Sequence, residues 1–129
     1  HRESCAEYNV RPDRKAYYLG REEGLIRYCT PQNALREGKQ NHYYRNVCAP
    51  EIEQSFLAAF NIGKEIYRVE SDIRKTERSI EQKERELDKA HNNDKLRRKL
   101  RDEIYQLDRE LRILRIERDN LYDLQKPYL

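Results

Sequence analysis

Three cysteines, Cys5, Cys29 and Cys48, are the residues with the most distinctive chemistry in this chain of 129 residues. In a reducing cytosol they would be small buried side chains. In an oxidising compartment we expect one disulfide and one remaining thiol, unless a fourth cysteine lies outside the sequence. Because no Cys-x-x-Cys pair is present, the spacing argues against a zinc site. We therefore predict no metal and no cofactor.

A nucleophile and its general base could be formed by Cys48 and His42. Neither an orienting third group nor an oxyanion motif accompanies them, so a structural role is the simpler interpretation. The sequence has no phosphate-binding loop, no His-Glu-x-x-His motif and no Gly-x-Ser-x-Gly motif. Most carboxylates lie among Lys and Arg in the second half, where they are expected to form ion pairs along helices. We predict that the protein is not an enzyme and has no catalytic residues.

Two groups of side chains are candidates for an interaction surface. A basic run could contact phosphates or acidic lipids, although a solvated helix start is the favoured interpretation; it comprises Lys95, Arg97, Arg98, Lys99 and Arg101. The other candidates are Tyr18 and Tyr43, which we expect to be exposed. We expect Tyr17, Tyr28 and Tyr44 to lie in the core.

The overall composition limits the kinds of partner and core. The chain is 40% charged, with 27 Lys and Arg against 24 Asp and Glu. A nucleic-acid-binding protein would show an excess of one sign, so we expect no nucleic acid partner. Only 36% of residues are hydrophobic, so cross-links or long helix pairs must supplement a small core. The sequence contains no apolar run long enough to cross a membrane, and the absence of Met suggests a processed product.

In the first half, a large apolar residue stands three positions before a glycine three times. All three of these glycines, and Gly24, fall on helical faces where another helix could approach closely. The predicted helix-packing residues are Tyr17, Gly20, Gly24, Gly38, Phe60 and Gly63. We predict helices over 14–28 and 34–47, a long helix from Glu51, and a head formed by residues 1–63.

The second half carries two seven-residue series of apolar side chains, which are typical of coiled coils. One runs from Ile66 to Leu87 and the other from Leu100 to Leu121. The two series do not share a register, and turn-forming residues at 91–94 separate them. We therefore predict an antiparallel helical hairpin over residues 64–129. The alternative is one unbroken helix of about 75 residues in a parallel dimer.

The head resembles the DUF2799 family of bacterial lipoproteins of unknown function. The resemblance rests on Tyr17-x-x-Gly20-x-x-x-Gly24-Leu25-x-x-Tyr28-Cys29-Thr30-Pro31-x-Asn33, then Gly38, Tyr44, Val47-Cys48-x-Pro50 and Phe56. It implies a Gram-negative envelope protein with a signal peptide, a lipid-bearing cysteine and an upstream helix containing another cysteine and a Trp. It implies no activity. The chain departs from the pattern at His42, where a second glycine is expected.

The envelope location implied by the resemblance favours a disulfide. If the short helices alternate in direction, Cys5 and Cys48 fall at the same end of the head and Cys29 at the other. We therefore expect a Cys5–Cys48 bond, with Cys29 left for an upstream cysteine. A Cys29–Cys48 bond is the second choice.

Together these patterns predict an all-α protein with a small cysteine-containing helical head and a long antiparallel coiled-coil hairpin. The expected function is a non-enzymatic structural or protein-interaction module in the periplasm, anchored to the outer membrane in its precursor. Its partner would be another envelope protein, and the chain would be a monomer or weak homodimer.

The alternative is a cell-wall-associated enzyme or ligand-binding domain. A deep polar pocket lined by Tyr17, Glu23, His42 and Tyr44 would favour that alternative, whereas a head closed over its glycines would argue against it. A third possibility is a cytosolic coiled-coil dimer.

Overall fold

The computed structural model describes residues 14–129, and all regular elements in that range are helical. They are α1 (Arg14–Tyr28), α2 (Pro31–Lys39), α3 (Pro50–Lys89), α4 (Asp94–Gln125) and a final 3-10 turn (Lys126–Tyr128). Helix α2 packs on the first part of α3, and α4 runs back along the rest of α3. The predicted all-α architecture of a head and an antiparallel hairpin is confirmed.

Helix α2 is shorter than the sequence suggested, because strong signals fix both of its ends. Thr30 caps its start by accepting a hydrogen bond from the Asn33 amide at 3.2 Å, and Pro31 occupies the first turn. At its other end, Asn41 adopts a left-handed conformation with φ of 60°. The Asn41 and His42 amides donate to the carbonyls of Gly38 and Glu37 in a Schellman arrangement. The predicted helix over 34–47 is therefore wrong at both boundaries.

The core of the head lies between α2 and the first turns of α3. Its buried apolar side chains include Leu35, Phe56, Phe60 and Ile66, together with the smaller Ala34 and Ala59. The C-terminal Tyr128 packs against this cluster, as the predicted antiparallel return of the chain requires. Leu124 does not join it and is 57% exposed.

Helix α3 connects the head to the hairpin without a break. It extends over 40 residues from Pro50 to Lys89, which corresponds to about 60 Å. The predicted boundary between residues 63 and 64 therefore falls inside one continuous helix. The head and the hairpin share α3, so bending between them would require α3 itself to deform.

The hairpin is closed by a short turn at the predicted position. Helix α3 ends at Lys89, and Asn93 caps α4 by accepting a hydrogen bond from the Leu96 amide at 3.1 Å. The seam between the arms buries Val69, Ile73, Ile80 and Leu111. Antiparallel arms need no common register, which explains the mismatch between the two apolar series. The alternative of one unbroken helix is not what the structure contains.

Candidate functional site

A disulfide joins Cys29, just after α1, to Cys48, just before α3, with 5.7 Å between the α carbons. This is the second of the two predicted pairings. The preferred Cys5–Cys48 bond is wrong, since Cys48 is bonded to Cys29; Cys5 itself lies outside the described residues. The error came from the length assigned to α2. Because α2 ends at Lys39 and the chain turns back at Asn41, the non-helical segment after it returns Cys48 to the end of the head where Cys29 lies.

Two glycines allow α2 and α3 to cross at backbone contact. A β carbon added to Gly38 would lie 2.9 Å from the Gly63 α carbon and 2.9 Å from the Lys64 nitrogen. A β carbon on Gly63 would lie 2.8 Å from the Lys39 nitrogen. Any larger side chain would force the helices apart. The structure thus gives Gly38, Phe60 and Gly63 the packing role expected of them, and the head is closed over these two glycines.

Four aromatic rings fill the space beside the disulfide. Phe56 stacks on Phe60 with 6.0 Å between the ring centroids, and it contacts Tyr28 at 5.2 Å and Tyr44 at 5.0 Å. Such pairs contribute beyond the area they bury. Tyr28 and Tyr44 therefore pack against the core as expected, at the point where the disulfide joins the chain.

The two tyrosine hydroxyls in this cluster differ in their partners. Tyr44 donates to Glu53 Oε2 at 2.8 Å and accepts from the Cys48 amide at 3.3 Å. Burial, followed by the hydrogen bond to Glu53, raises the pKa of Tyr44 above its usual value. The Tyr28 hydroxyl is buried and has no hydrogen-bond partner among residues 14–129. Tyr44 thereby links the disulfide loop to α3, and its hydroxyl is occupied by structural contacts.

The loop after α2 forms a polar depression on the surface of the head. His42 Nδ1 contacts Glu37 Oε2 at 2.5 Å, and Lys64 Nζ donates to Asn41 Oδ1 at 2.9 Å. Lys64 also lies 5.4 Å from the centroid of the Tyr43 ring. The sequence patterns did not single out Lys64 or Glu53. Lys64 bonds to Asn41 and Glu53 bonds to Tyr44, and neither contact follows from helical spacing.

This depression is not the pocket that would favour an enzyme. Its lining includes His42 and Tyr43, but Tyr17, Glu23 and Tyr44 do not contribute to it. The Cys48 sulfur is bonded to Cys29, so it is not a thiolate nucleophile. The structure therefore gives no nucleophile and base at Cys48 and His42.

Helix α1 has an exposed surface where packing was predicted. No described residue lies within 4 Å of a β carbon added to Gly20 or Gly24, and none of the residues of α1 is buried. Tyr17 is 59% exposed and contacts Tyr18 edge-on. The predictions of a core position for Tyr17 and of close helix contacts at Gly20 and Gly24 are thus wrong within the described part of the chain. Tyr18 and Tyr43 are exposed as predicted.

Ion pairs between the arms fix the alignment of the hairpin. Arg68 on α3 bonds to Glu117 on α4, and Lys83 bonds to Glu103 nearer the turn. Hydrogen bonds to Glu65 and Glu117 raise the pKa of Arg68, which keeps its charge. The hydrogen bond from Lys83 lowers the pKa of Glu103, and the same bond raises the pKa of Lys83. Slipping the arms by one turn would separate both pairs.

The basic run at the tip is not one uniform surface. Arg97 Nη1 donates to the carbonyl of Leu87 at 3.0 Å and contacts that of Ala90 at 3.4 Å, so it closes the end of α3. Lys99 lies 3.9 Å from Glu103. The other members, Lys95, Arg98 and Arg101, are exposed. The tip is at the opposite end of the hairpin from Tyr18 and Tyr43, so these candidates do not form one surface.

The described part of the chain contains no cluster of three His, Cys, Asp or Glu residues placed to hold a metal ion. None of its helices has the length and apolar character that a membrane span requires. The described residues form a disulfide-linked head that packs on the first part of α3, and a charged hairpin that extends from it.

A family model described as a protein of unknown function (DUF2799) matches residues 1–65. The chain belongs to this family. The match covers the head and the first part of α3, and it ends shortly after Gly63. No curated protein and no solved structure matches the chain.

Proposed function

We propose that this chain is a non-enzymatic structural or protein-interaction module of the bacterial cell envelope. The observation that carries the proposal is the Cys29–Cys48 disulfide at the base of α3. Stable structural disulfides form in oxidising compartments such as the periplasm and are uncommon in the cytosol. In this proposal the module lies in the periplasm of a Gram-negative bacterium, as a lipoprotein anchored to the outer membrane through a lipid-bearing cysteine upstream of the head.

A structural role is supported by how the head uses its reactive groups. Both described cysteines form the disulfide, and the Tyr44 hydroxyl and the Glu53 carboxylate bond to each other. His42 pairs with Glu37. Groups that are already paired within the fold are poorly available for catalysis, whereas together they hold α3 in place.

The long hairpin supports the interaction part of the proposal. Its arms extend about 40 Å beyond Gly63, at 1.5 Å per residue. A hairpin of this length exceeds what a head of this size needs for its own core. It offers long exposed helix faces to another envelope protein or holds a distance between two binding sites.

The location can be tested with the complete gene expressed in its native host. Cells are treated with a membrane-permeant alkylating reagent before lysis and then fractionated. We expect the chain in the envelope fraction, with Cys29 and Cys48 protected from alkylation until a reductant is added. A cytosolic chain with both thiols alkylated would contradict the proposal.

The alternative, a cell-wall-associated enzyme or ligand-binding domain, predicts binding of soluble cell-wall fragments to the tyrosine-rich head. NMR spectra of the labelled protein test this with fragments added in excess. Unchanged signals from His42, Tyr43 and Tyr44 would support the structural module. Saturable shifts confined to these residues would support the alternative.

A further inference from the structure

The loop that follows α2 carries an aromatic and a cationic side chain that the fold does not use. Tyr43 is 88% exposed, the highest value among the exposed large apolar side chains of the described residues. Arg45 is also exposed and forms no ion pair with another described residue. Both line the polar depression at this loop, which has a volume of about 480 Å³. Binding sites for small ligands span about 300–1,000 Å³.

The loop residues beside these two side chains are tied to the body of the head. Before Tyr43, Asn41 Oδ1 accepts a hydrogen bond from Lys64 Nζ at 2.9 Å. Between Tyr43 and Arg45, Tyr44 is bonded to a carboxylate on α3 at 2.8 Å. The backbone is therefore held on both sides of Tyr43 without a partner present. A preorganised surface loses little conformational freedom on binding, which lowers the cost of association.

The charges around Tyr43 favour an acidic ligand. Lys64 Nζ lies 5.4 Å from the centroid of the Tyr43 ring, and Arg45 lies two residues further along the chain. The carboxylate in the lining belongs to Glu37, which is already bonded to His42. An incoming carboxylate would thus find the Arg45 guanidinium without a partner, and such pairs are often bidentate and strong.

The same lining distinguishes an acidic peptide from other anions. The negative charge of Glu37 repels a phosphate dianion more than a single carboxylate. Glu53, which bonds to Tyr44, does not line the depression. A free anion would leave the Tyr43 ring uncovered, whereas a peptide can place an aromatic side chain beside its carboxylate. Tyr and Arg are also the residue types enriched at the energetic centres of protein interfaces.

We propose that this depression docks an acidic segment of another protein, in which a carboxylate binds Arg45 and a neighbouring aromatic side chain stacks on Tyr43. The proposal rests on the proposed interaction role and gives that role a surface and a partner chemistry. It does not depend on the compartment. Failure of an acidic peptide to bind would leave the envelope location standing, and a cytosolic chain that binds the peptide would overturn the location alone.

An NMR titration of the oxidised full chain tests the docking, with the capped tripeptide Glu-Phe-Glu as the probe. We expect saturable shifts of the Tyr43 and Arg45 signals. The capped tripeptide Lys-Phe-Lys keeps the aromatic ring and reverses the charge, so it should bind at least about tenfold more weakly. Equal affinity for the two peptides, or no saturable shift with the acidic one, would overturn the proposal.

Two further probes separate a peptide from other ligands at the same residues. Inorganic phosphate and a neutral oligomer of N-acetylglucosamine should each bind at least about tenfold more weakly than the acidic tripeptide, because neither supplies both a carboxylate and an aromatic ring. Phosphate that binds as tightly as the peptide would reduce the depression to an anion site. An equally tight sugar would assign it to the ligand-binding alternative. Either result would contradict an acidic protein partner.

Two arginine variants with the same charge change test the role of Arg45. Arg45→Glu should raise the dissociation constant of the acidic tripeptide about tenfold or more, because like charges then meet. Arg27→Glu is the matched control: Arg27 is exposed at the end of α1, before α2 begins, whereas the depression follows the end of α2. It should leave the dissociation constant unchanged.

A third variant tests the aromatic contact. Tyr43→Ala should weaken binding of the acidic tripeptide about fivefold, since the ring supplies most of the apolar contact area. Circular dichroism checks that each variant stays folded. Equal losses in Arg45→Glu and Arg27→Glu would show that overall charge, and not this depression, attracts the peptide, and the proposal would fail.

Discussion

Gly38 in α2 and Gly63 in α3 face each other so closely that a β carbon on either would lie 2.9 Å from the α carbon of the other. We expect Gly38→Ala and Gly63→Ala each to lower the free energy of unfolding by about 1–3 kcal/mol, because the clash is with backbone that cannot move aside. Gly24→Ala is the matched control: no described residue lies near its β carbon, and alanine favours helix by roughly 0.5–1 kcal/mol. Urea unfolding followed by circular dichroism measures all three. Equal effects at Gly38 and Gly24 would contradict the close crossing.

The two tyrosines that contact Phe56 should respond in opposite ways to loss of their hydroxyls. Tyr44→Phe removes the hydrogen bonds to Glu53 and the Cys48 amide, and we expect a loss of about 1 kcal/mol. Tyr28→Phe removes a buried hydroxyl without a partner among the described residues, so we expect no loss or a small gain in stability. Thermal unfolding of the two variants makes the comparison. A larger loss for Tyr28→Phe would show that its hydroxyl has a partner.

The disulfide should link Cys29 to Cys48 in the native oxidised protein. Peptide mapping without reduction should recover that linked pair, and a Cys5–Cys48 peptide would contradict the structure. Replacing both residues by serine should lower the free energy of unfolding by about 3 kcal/mol, because the bond closes a loop of roughly 20 residues. Cys5→Ser is the control and should leave the linked pair intact.

The Lys83–Glu103 pair should stabilise the hairpin at neutral pH and lose this effect in acid. The hydrogen bond from Lys83 lowers the pKa of Glu103 below its usual 4.5. Its stabilising effect is therefore fully present above pH 4.5 and is lost as the pH falls through the lower folded-state pKa. At neutral pH we expect the Glu103→Gln variant to have a lower Tm than the wild type. In strong acid the two Tm values should be nearly equal.

Glu81→Gln is a suitable control for this pH experiment. Glu81 is exposed on α3 and lies outside the Lys83–Glu103 pair, so the substitution removes one carboxylate and leaves that pair intact. Its Tm should follow the wild-type profile at every pH. Suppose instead that the Tm of Glu103→Gln differs from that of the wild type by the same amount from neutral pH to strong acid. That result would show that the ion pair does not cause the difference.

Arg97 and Arg98 are neighbours at the hairpin tip with different expected effects. Arg97→Ala removes the guanidinium that bonds to the Leu87 carbonyl, and we expect a loss of about 1–2 kcal/mol. Arg98→Ala changes an exposed side chain and should alter stability by less than about 0.5 kcal/mol. Chemical unfolding compares the two. Similar losses would mean that the tip depends on total charge and not on closure of α3.

The sequence was most informative where the structural cause is local. Arg14–Tyr28 was predicted with the observed bounds, and the turn after Lys89 lies where the capping residues indicated. The apolar series predicted both arms of the hairpin. In contrast, Asn41 ends α2 in a left-handed conformation, which among residues other than glycine is adopted mainly by Asn and Asp, and the predicted helix over 34–47 gave this stop signal no weight.

The sequence by itself determined that this protein is helical, with a head that contains cysteines and glycines and a charged antiparallel hairpin. Those features follow from periodicity and from capping, which act over a few residues. Only the tertiary structure decided which glycines pack and which cysteines pair. Gly24 and Gly38 occupy similar sequence contexts. Of these two glycines, Gly38 is crossed by another described helix and Gly24 is not. Cys48 reaches Cys29 because α2 ends early and the chain turns back through a loop in which Asn41 and Asn46 are both left-handed.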